Sequence, residues 1–210
     1  LAEPHIYMSS GEMEHLEMCL RDSAPACLRL IPVKGGYRLK EMEQVLLRLE
    51  KYHPIVLIDR KDMDTDANYD DLIFLANRLP SVKFVIQRVF WSRYHYVFDA
   101  MQRCENIYMD TSWMHTEQGH EIFCRQFGAN RILFSLGLRA NHGAAIAGLC
   151  YADLPQQTKD AIASDNFINL FALFNQFLFM FSITIVRSIH FTRTCRIYYV
   201  EHFIKISLFC

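Results

Sequence analysis

The sequence predicts an α/β protein built around a buried parallel β-sheet. Six short apolar runs recur along the first 140 residues, and their starts lie 21 to 29 residues apart. Helix-compatible segments lie between these runs. Short β-rich runs joined by single amphipathic helices are typical of right-handed βαβ units, whose parallel strands are covered on both faces.

The elements follow one another in a regular order. The expected strands are residues 5–10 (HIYMSS), 26–33 (ACLRLIPV), 55–59 (IVLID), 82–87 (VKFVIQ), 107–112 (IYMDTS) and 131–136 (RILFSL). The expected helices are residues 39–52, 69–79, 93–104 and 119–128. In the first of these helices Met42, Val45, Leu46 and Leu49 recur at helical spacing, which gives the helix one apolar face.

Two architectures use this alternation of strands and helices, the open doubly wound sheet and the closed eight-stranded barrel. No Gly-x-Gly-x-x-Gly or P-loop pattern follows any of the expected strands. The sequence therefore lacks the motifs that usually indicate a dinucleotide-binding or phosphate-loop fold. The pattern favours the barrel.

Length, charge and cysteine content limit the classes of function. A chain of 210 residues can bury one substantial core, so a single folded domain is expected. The formal charge of −1 and the pI near 6.8 give no electrostatic reason to expect nucleic acid as a partner. Seven cysteines without a Cys-x-x-Cys pair indicate reduced thiols, and hence a cytoplasmic protein.

Several segments of the chain resemble a known protein family. HPIVLID, LPSVKFVIQ, NIYMDTS and FGANRILFSLG occur in this order and are followed by GAAIAGLCYADLPQQTKDAIASDN. Together they resemble the metal-dependent hydrolases of the amidohydrolase superfamily, in the branch that includes decarboxylases of aromatic acids. The resemblance implies a TIM barrel. It also implies zinc or another divalent metal, and either hydrolysis of small carboxylate, amide or lactone substrates or decarboxylation of an aromatic or small carboxylic acid.

Counting strands against this family predicts a partial barrel. If residues 131–136 are the eighth strand, residues 5–10 are the third. We therefore expect a partial (β/α)8 TIM barrel over residues 1–171, with strands three to eight represented and the first two missing. A complete barrel takes about 250 residues, so the natural start of the protein is expected to precede Leu1. The family's first strand carries a His-x-His metal pair, which is not represented here.

The metal-binding positions implied by the resemblance carry other residues. Asp59 stands where the fifth strand of the family ends in a histidine, and Arg88 stands where the sixth does. Gly137 stands where an aspartate after the eighth strand binds metal and moves a proton. A guanidinium has no lone pair to offer a metal, and a catalytic zinc needs about three protein donors. We therefore expect no cofactor in this chain and no catalysis by it in this form.

Other candidate residues are expected on the same rim, because βα loops converge at the C-terminal ends of barrel strands. The candidates for substrate binding are Arg88, Trp91, Asp110, Trp113, His115 and His142. One interpretation is a degenerate barrel that binds a small carboxylate, a similar anion or a protein partner. The other is that these are ordinary polar residues of surface loops.

Residues 172–210 form an apolar and basic extension whose origin the sequence leaves open. Residues 166–186 carry no charge and would span about 31 Å as a helix, enough to cross a bilayer core of about 30 Å. Four amide side chains in this stretch weigh against a membrane span. The alternatives are an extension that was not selected with the barrel and a buried helix that closes it. We expect no membrane contact, and the sequence does not distinguish a monomer from a homo-oligomer.

Overall fold

A computed structural model describes residues 1–22 and 27–172 of the chain. Within them lies a five-stranded sheet whose strands are β1 (Cys27–Leu30), β2 (Ile55–Asp59), β3 (Lys83–Gln87), β4 (Ile107–Asp110) and β5 (Ile132–Leu133). All neighbouring strands are parallel, and their spatial order is their order in the sequence. The predicted α/β fold with sequential parallel strands is confirmed.

Helices connect the strands as the sequence predicts. They are α1 (Ser10–Asp22), α2 (Pro32–Gly35), α3 (Glu43–Leu49), α4 (Asp66–Arg78), α5 (Tyr94–Arg103), α6 (Gly119–Phe127), α7 (His142–Cys150), α8 (Gln156–Asp160) and α9 (Asn166–Ala172). Short 3₁₀ turns flank α3 at Leu39–Met42 and Glu50–Tyr52, and a π-helical turn at Ala161–Asp165 joins α8 to α9. The four expected helices correspond to α3 with its flanking turns, α4, α5 and α6.

The strand expected at residues 5–10 is wrong. Residues 5–9 are irregular, and α1 begins directly after Ser9. The Ser9 hydroxyl and backbone N–H both donate to the Glu12 carboxylate, and the Glu12 N–H donates to the Ser9 hydroxyl. This capping box starts a helix where a strand was expected. The N-terminal segment instead pairs with β1 at Ala2, which forms a single parallel bridge with Leu28.

The last strand is shorter than expected, because residues after Leu133 turn to other partners. The Phe134 N–H donates to the carbonyl of Ile162 at 3.1 Å, and the Ser135 N–H donates to the Thr111 hydroxyl at 3.3 Å. The chain from residue 134 to residue 138 therefore leaves the sheet and runs along the loop that follows β4.

The two faces of the sheet bury different groups. Strand residues such as Leu28, Ile58, Phe84 and Met109 face the surrounding helices and form the larger apolar core. On the opposite face Ile55, Val85 and Leu133 pack against Leu170 of α9 in a smaller core. Helix α9 therefore lies on the face that is the interior in a closed barrel.

Buried amides hold the strand starts in place. The Asn166 side chain donates to the carbonyls of Ala129 and Ile132 at 2.7 and 2.9 Å. Asn106 donates to the carbonyls of Ala76, Leu79 and Val82 at 2.9 to 3.1 Å. Each amide satisfies backbone acceptors that would otherwise be buried without a partner. Asn166 belongs to the segment in which the sequence indicates the end of the barrel.

The extension expected at residues 172–210 lies, beyond its first residue, outside the described part of the chain. No helix within residues 1–22 and 27–172 has the length and apolarity needed to cross a membrane.

Candidate functional site

Three charged side chains meet where β2, β3 and β4 end. Asp59 is the last residue of β2, Arg88 follows β3, and Asp110 is the last residue of β4. The Arg88 guanidinium donates from Nη2 to Oδ2 of Asp59. Its backbone N–H donates to Oδ1 of Asp110 at 2.8 Å. Arg88 therefore contacts both acids, one through its side chain and the other through its backbone.

The backbone of Arg88 is in the left-handed region, with φ at 58°. This conformation costs about 1 to 2 kcal/mol for a residue with a β-carbon. The N–H bond to Asp110 and the ion pair with Asp59 hold the residue in it. A strained residue of this kind, fixed by surrounding contacts, is a feature that often marks functional sites.

Asp110 is buried and accepts three hydrogen bonds at Oδ1. Besides the Arg88 N–H, the Ser112 hydroxyl donates at 2.7 Å and the Ser112 N–H at 3.2 Å. Burial raises the pKa of Asp110, and the bonds from Ser112 and Arg88 oppose this shift. The nearby carboxylate of Asp59 raises the pKa further. The Asp110 carboxyl is a fixed acceptor within the loop that follows β4.

Gly137 packs against this same loop. Its φ is +64°, and a β-carbon built on it would lie 2.6 Å from the carbonyl oxygen of Ser112 and 3.0 Å from its β-carbon. Neither the backbone conformation nor the space suits a side chain. The position at which the resemblance implies a metal-binding aspartate therefore fits glycine and no acid.

The side chains at these positions do not fit a divalent cation. The Asp59 carboxylate is paired with Arg88, and Gly137 has no side-chain donor and no room for one. No group of three or more His, Cys, Asp or Glu side chains within residues 1–22 and 27–172 is arranged to hold a metal ion. Asp59, Arg88 and Gly137 therefore do not provide the three protein donors that a catalytic zinc needs.

The aromatic candidates lie next to the charged ones in sequence but differ in exposure. Trp91 is 59% exposed, and its ring lies 5.8 Å from that of Phe90. Trp113 is partly buried, meets Phe90 edge to face at 5.9 Å, and lies under the Arg60 guanidinium at 5.8 Å. Phe90 thus links the loop after β3 with the loop after β4.

The two histidine candidates occupy loop and helix-start positions. The His115 N–H donates to the carbonyl of Trp113 at 3.0 Å, within the loop after β4. His142 is the first residue of α7. The hydrogen bonds that connect the ends of β2, β3 and β4 run among Asp59, Arg88 and Asp110.

One further buried acid was not among the sequence candidates. Asp62, in the 3₁₀ turn after β2, accepts a bond from the Val33 N–H at 3.3 Å, while its Oδ2 has no hydrogen-bond partner among the described residues. Burial raises the pKa of Asp62. Asp62 stands in the acid-rich stretch DRKDMDTDANYDD, where spacing alone does not separate a buried carboxylate from solvated ones.

Comparison with solved structures identifies the architecture. The chain is similar to 5-carboxyvanillate decarboxylase from Sphingomonas paucimobilis, with a TM-score of 0.62 and 13% identity over 82% of this chain and 66% of that one. It is similar to an uncharacterized TIM-barrel protein from Bordetella bronchiseptica, with a TM-score of 0.60 and 16% identity over 81% and 64%. A dihydroxybenzoic acid decarboxylase from Polaromonas sp. JS666, solved with manganese and the inhibitor 2-nitroresorcinol, has a TM-score of 0.51 and 15% identity over 77% and 65%.

These similarities confirm, at the level of the fold, the resemblance drawn from the sequence. The chain has the fold of the corresponding part of these TIM-barrel structures, and it spans about two-thirds of their length. No protein-family model matches the chain. No curated protein matches it either.

Proposed function

We propose that the chain is an amidohydrolase-related barrel that binds a small carboxylate at the mouth of the sheet without metal-dependent turnover. The observation that carries the proposal is the ion pair between Arg88 and Asp59, at positions where the resemblance implies metal ligands. Binding and catalysis are separate properties of such a fold, since the same barrel supports many functions.

Electrostatics and geometry argue against a metal at this place. A fixed guanidinium about 4 Å from a divalent cation opposes it by several kcal/mol at an effective dielectric near 20. Gly137 offers no group that could take a proton from a water molecule, and its backbone has no space for one. At Asp59, Arg88 and Gly137, therefore, no residue supports the activation of a metal-bound water or the removal of its proton.

A small carboxylate is the ligand that suits Arg88. The Arg88 side chain is 32% exposed, and the planar fork of N–H donors on its guanidinium matches a carboxylate. Phe90, Trp91 and Trp113 supply aromatic surface in the adjoining loops. Asp59 already occupies part of the fork, so an incoming carboxylate competes with an internal one. Removing the charge of Asp59 should therefore strengthen binding.

The test measures benzoate binding by calorimetry. Arg88→Ala should abolish binding, whereas Asp59→Asn should tighten it about tenfold or more, because one charge-assisted hydrogen bond is worth about 1.5 to 3 kcal/mol. Asn retains an acceptor for the Lys61 N–H that now donates to Asp59 at 3.0 Å. Arg38→Ala is the matched control, since Arg38 forms a comparable pair with buried Asp71 elsewhere. Benzoate binding that survives Arg88→Ala would contradict the proposal.

A second candidate function is decarboxylation, which the names of two structural neighbours favour. The discriminating assay adds zinc or manganese to the unmodified chain and follows release of carbon dioxide from 5-carboxyvanillate and from dihydroxybenzoic acid. We expect no release above background. Metal-dependent release that disappears in Asp59→Ala would replace the binding proposal with the enzymatic one.

A further inference from the structure

A second cluster of positive charge lies on the same rim, between the loops that follow β2 and β3. Arg60 and Arg93 both approach the same carboxylate oxygen, Oδ1 of Asp64, at 3.6 and 3.9 Å. Both distances exceed those of a direct hydrogen bond. Asp64 is 57% exposed, so it is a loosely held, partly solvated counterion for two guanidiniums.

The two arginines are supported by aromatic rings. Arg60 lies over Trp113 at 5.8 Å, and Arg93 lies over Tyr96 at 5.7 Å. The side chains of Arg60 and Arg93 are 29% and 30% exposed. Stacking on a ring leaves the N–H groups at the edge of a guanidinium available to an acceptor. The rings therefore hold Arg60 and Arg93 in position, and Asp64 does not use the N–H donors of either guanidinium.

A buried phenol completes the cluster. Tyr69 is 2% exposed, and its hydroxyl has no hydrogen-bond partner among the described residues. Burial raises the pKa of Tyr69 to about 12, and the charges of Arg93, Arg60 and Asp64 also influence this pKa. Its ring stacks on that of Tyr96 at 4.9 Å, which fixes its position. A buried hydroxyl without a partner costs about 1 to 3 kcal/mol unless something supplies an acceptor.

We propose that Arg60, Arg93 and Tyr69 form a seat for an oxyanion, the phosphate or carboxylate group of a small molecule, which Asp64 fills loosely in its absence. The oxygens of a phosphate can accept from both guanidiniums, and the nearby Tyr69 hydroxyl has no acceptor among the described residues, whereas Asp64 makes no hydrogen bond to either arginine. This seat goes beyond the proposed carboxylate site at Arg88, since it uses none of the residues in the Asp59–Arg88–Asp110 contacts.

Local charge is compatible with an anionic ligand. Arg60, Arg93 and Asp64 together carry a net charge of +1. The Asp66 carboxylate nearby accepts from the Tyr96 hydroxyl, and the exposed Lys61 adds a further positive charge next to Arg60 in the chain. An oxyanion between the two guanidiniums would therefore replace a weak internal contact by charge-assisted hydrogen bonds.

The test titrates inorganic phosphate, and separately acetate, into the full chain and into single variants. Arg60→Ala and Arg93→Ala should each weaken phosphate binding about tenfold or more, as expected for loss of a charge-assisted hydrogen bond. Tyr69→Phe should weaken it by a smaller factor. Asp64→Asn should tighten it, because the internal competitor loses its charge. Tighter binding of phosphate than acetate would identify a phosphate group as the preferred ligand, and the reverse a carboxylate.

Two variants serve as controls. Arg103→Ala removes an arginine from another exposed i,i+4 pair, with Asp99 at 3.1 Å, and should leave phosphate binding unchanged. Titrations repeated in the Arg88→Ala background remove anion binding at the proposed benzoate site, and the effects of Arg60→Ala and Arg93→Ala should persist there. Phosphate and acetate affinities that are the same in the unmodified chain, Arg60→Ala and Arg93→Ala would overturn the inference, as would an absence of binding even in Asp64→Asn. Neither result would affect benzoate binding at Arg88.

Discussion

Replacing Gly137 by alanine tests whether this position can accept a side chain, as the metal-binding aspartate implied by the resemblance would require. The new β-carbon would lie 2.6 Å from the Ser112 carbonyl oxygen, where ordinary contacts are 3.4 Å or longer. It would also have to adopt a φ of +64°. Ser112 cannot move freely, because its hydroxyl and its N–H both donate to the buried Asp110. The substitution therefore strains the loop after β4 as well as position 137.

The expected cost is the sum of two effects. A left-handed backbone costs about 1 to 2 kcal/mol for a residue with a β-carbon. Overpacking costs about 1 to 3 kcal/mol. Gly137→Ala should therefore lower the free energy of unfolding by about 2 to 5 kcal/mol. At about 2 to 4 °C per kcal/mol for a chain of this size, Tm should fall by about 4 to 20 °C. Gly137→Asp should cost at least as much.

Two other glycines separate these effects in a denaturation experiment. Gly36 has φ at +67° with no atom within 4 Å of a built β-carbon, so Gly36→Ala should show the backbone cost alone. Gly143 lies in α7 with open space around it, so Gly143→Ala should be neutral or stabilise by up to about 1 kcal/mol. If Gly137→Ala costs no more than Gly36→Ala, the contact with Ser112 does not restrict this position.

Two buried titratable groups predict how stability depends on pH. His120 is buried, its Nε2 has no hydrogen-bond partner among the described residues, and burial lowers its pKa. The unfolded chain therefore binds this proton more readily, and the free energy of unfolding should fall below pH 6.5 by up to about 1.4 kcal/mol per pH unit. Thermal unfolding of His120→Gln should lack this component, and an unchanged profile would contradict the assignment. The raised pKa of Asp62 means that the folded chain holds this proton more tightly than the unfolded chain does. The unmodified chain should therefore lose stability relative to Asp62→Asn as pH rises above about 4. An equal difference at pH 3 and pH 7 would count against a destabilised Asp62 carboxylate.

Much of the sheet could be predicted because its strands are buried on both faces. IVLID coincides with β2, and VKFVIQ contains β3. Short continuous apolar runs between helical segments are typical of strands that are buried on both faces. The strand predicted at residues 5–10 is wrong because HIYM has the composition of a strand, whereas the spacing of Ser9 and Glu12 indicates the start of a helix.

The sequence likewise predicts some features of the site and misses others. The sequence places Asp59, Arg88 and Asp110 on one rim because the ends of barrel strands converge, and Arg88 contacts both acids. The contact of Gly137 with Ser112 joins segments 25 residues apart, and no local pattern records it. Likewise, Arg60 and Arg93 meet at Asp64 only because two successive loops lie side by side. Such contacts depend on tertiary packing, which periodicity does not specify.

The contacts of Arg88 explain how the mouth of the barrel can be stable without a metal. Two buried acids, Asp59 and Asp110, lie at the ends of strands separated by β3, and burial of their charge requires compensation. Arg88 supplies it from β3, with a guanidinium for Asp59 and a backbone N–H for Asp110. A metal ion would neutralise the acids and keep an open position for substrate. A guanidinium neutralises only the acid it touches and has no lone pair or vacant orbital for chemistry. Arg88 therefore links the ends of β2, β3 and β4 through its own contacts, and the proposed carboxylate would bind to the same guanidinium.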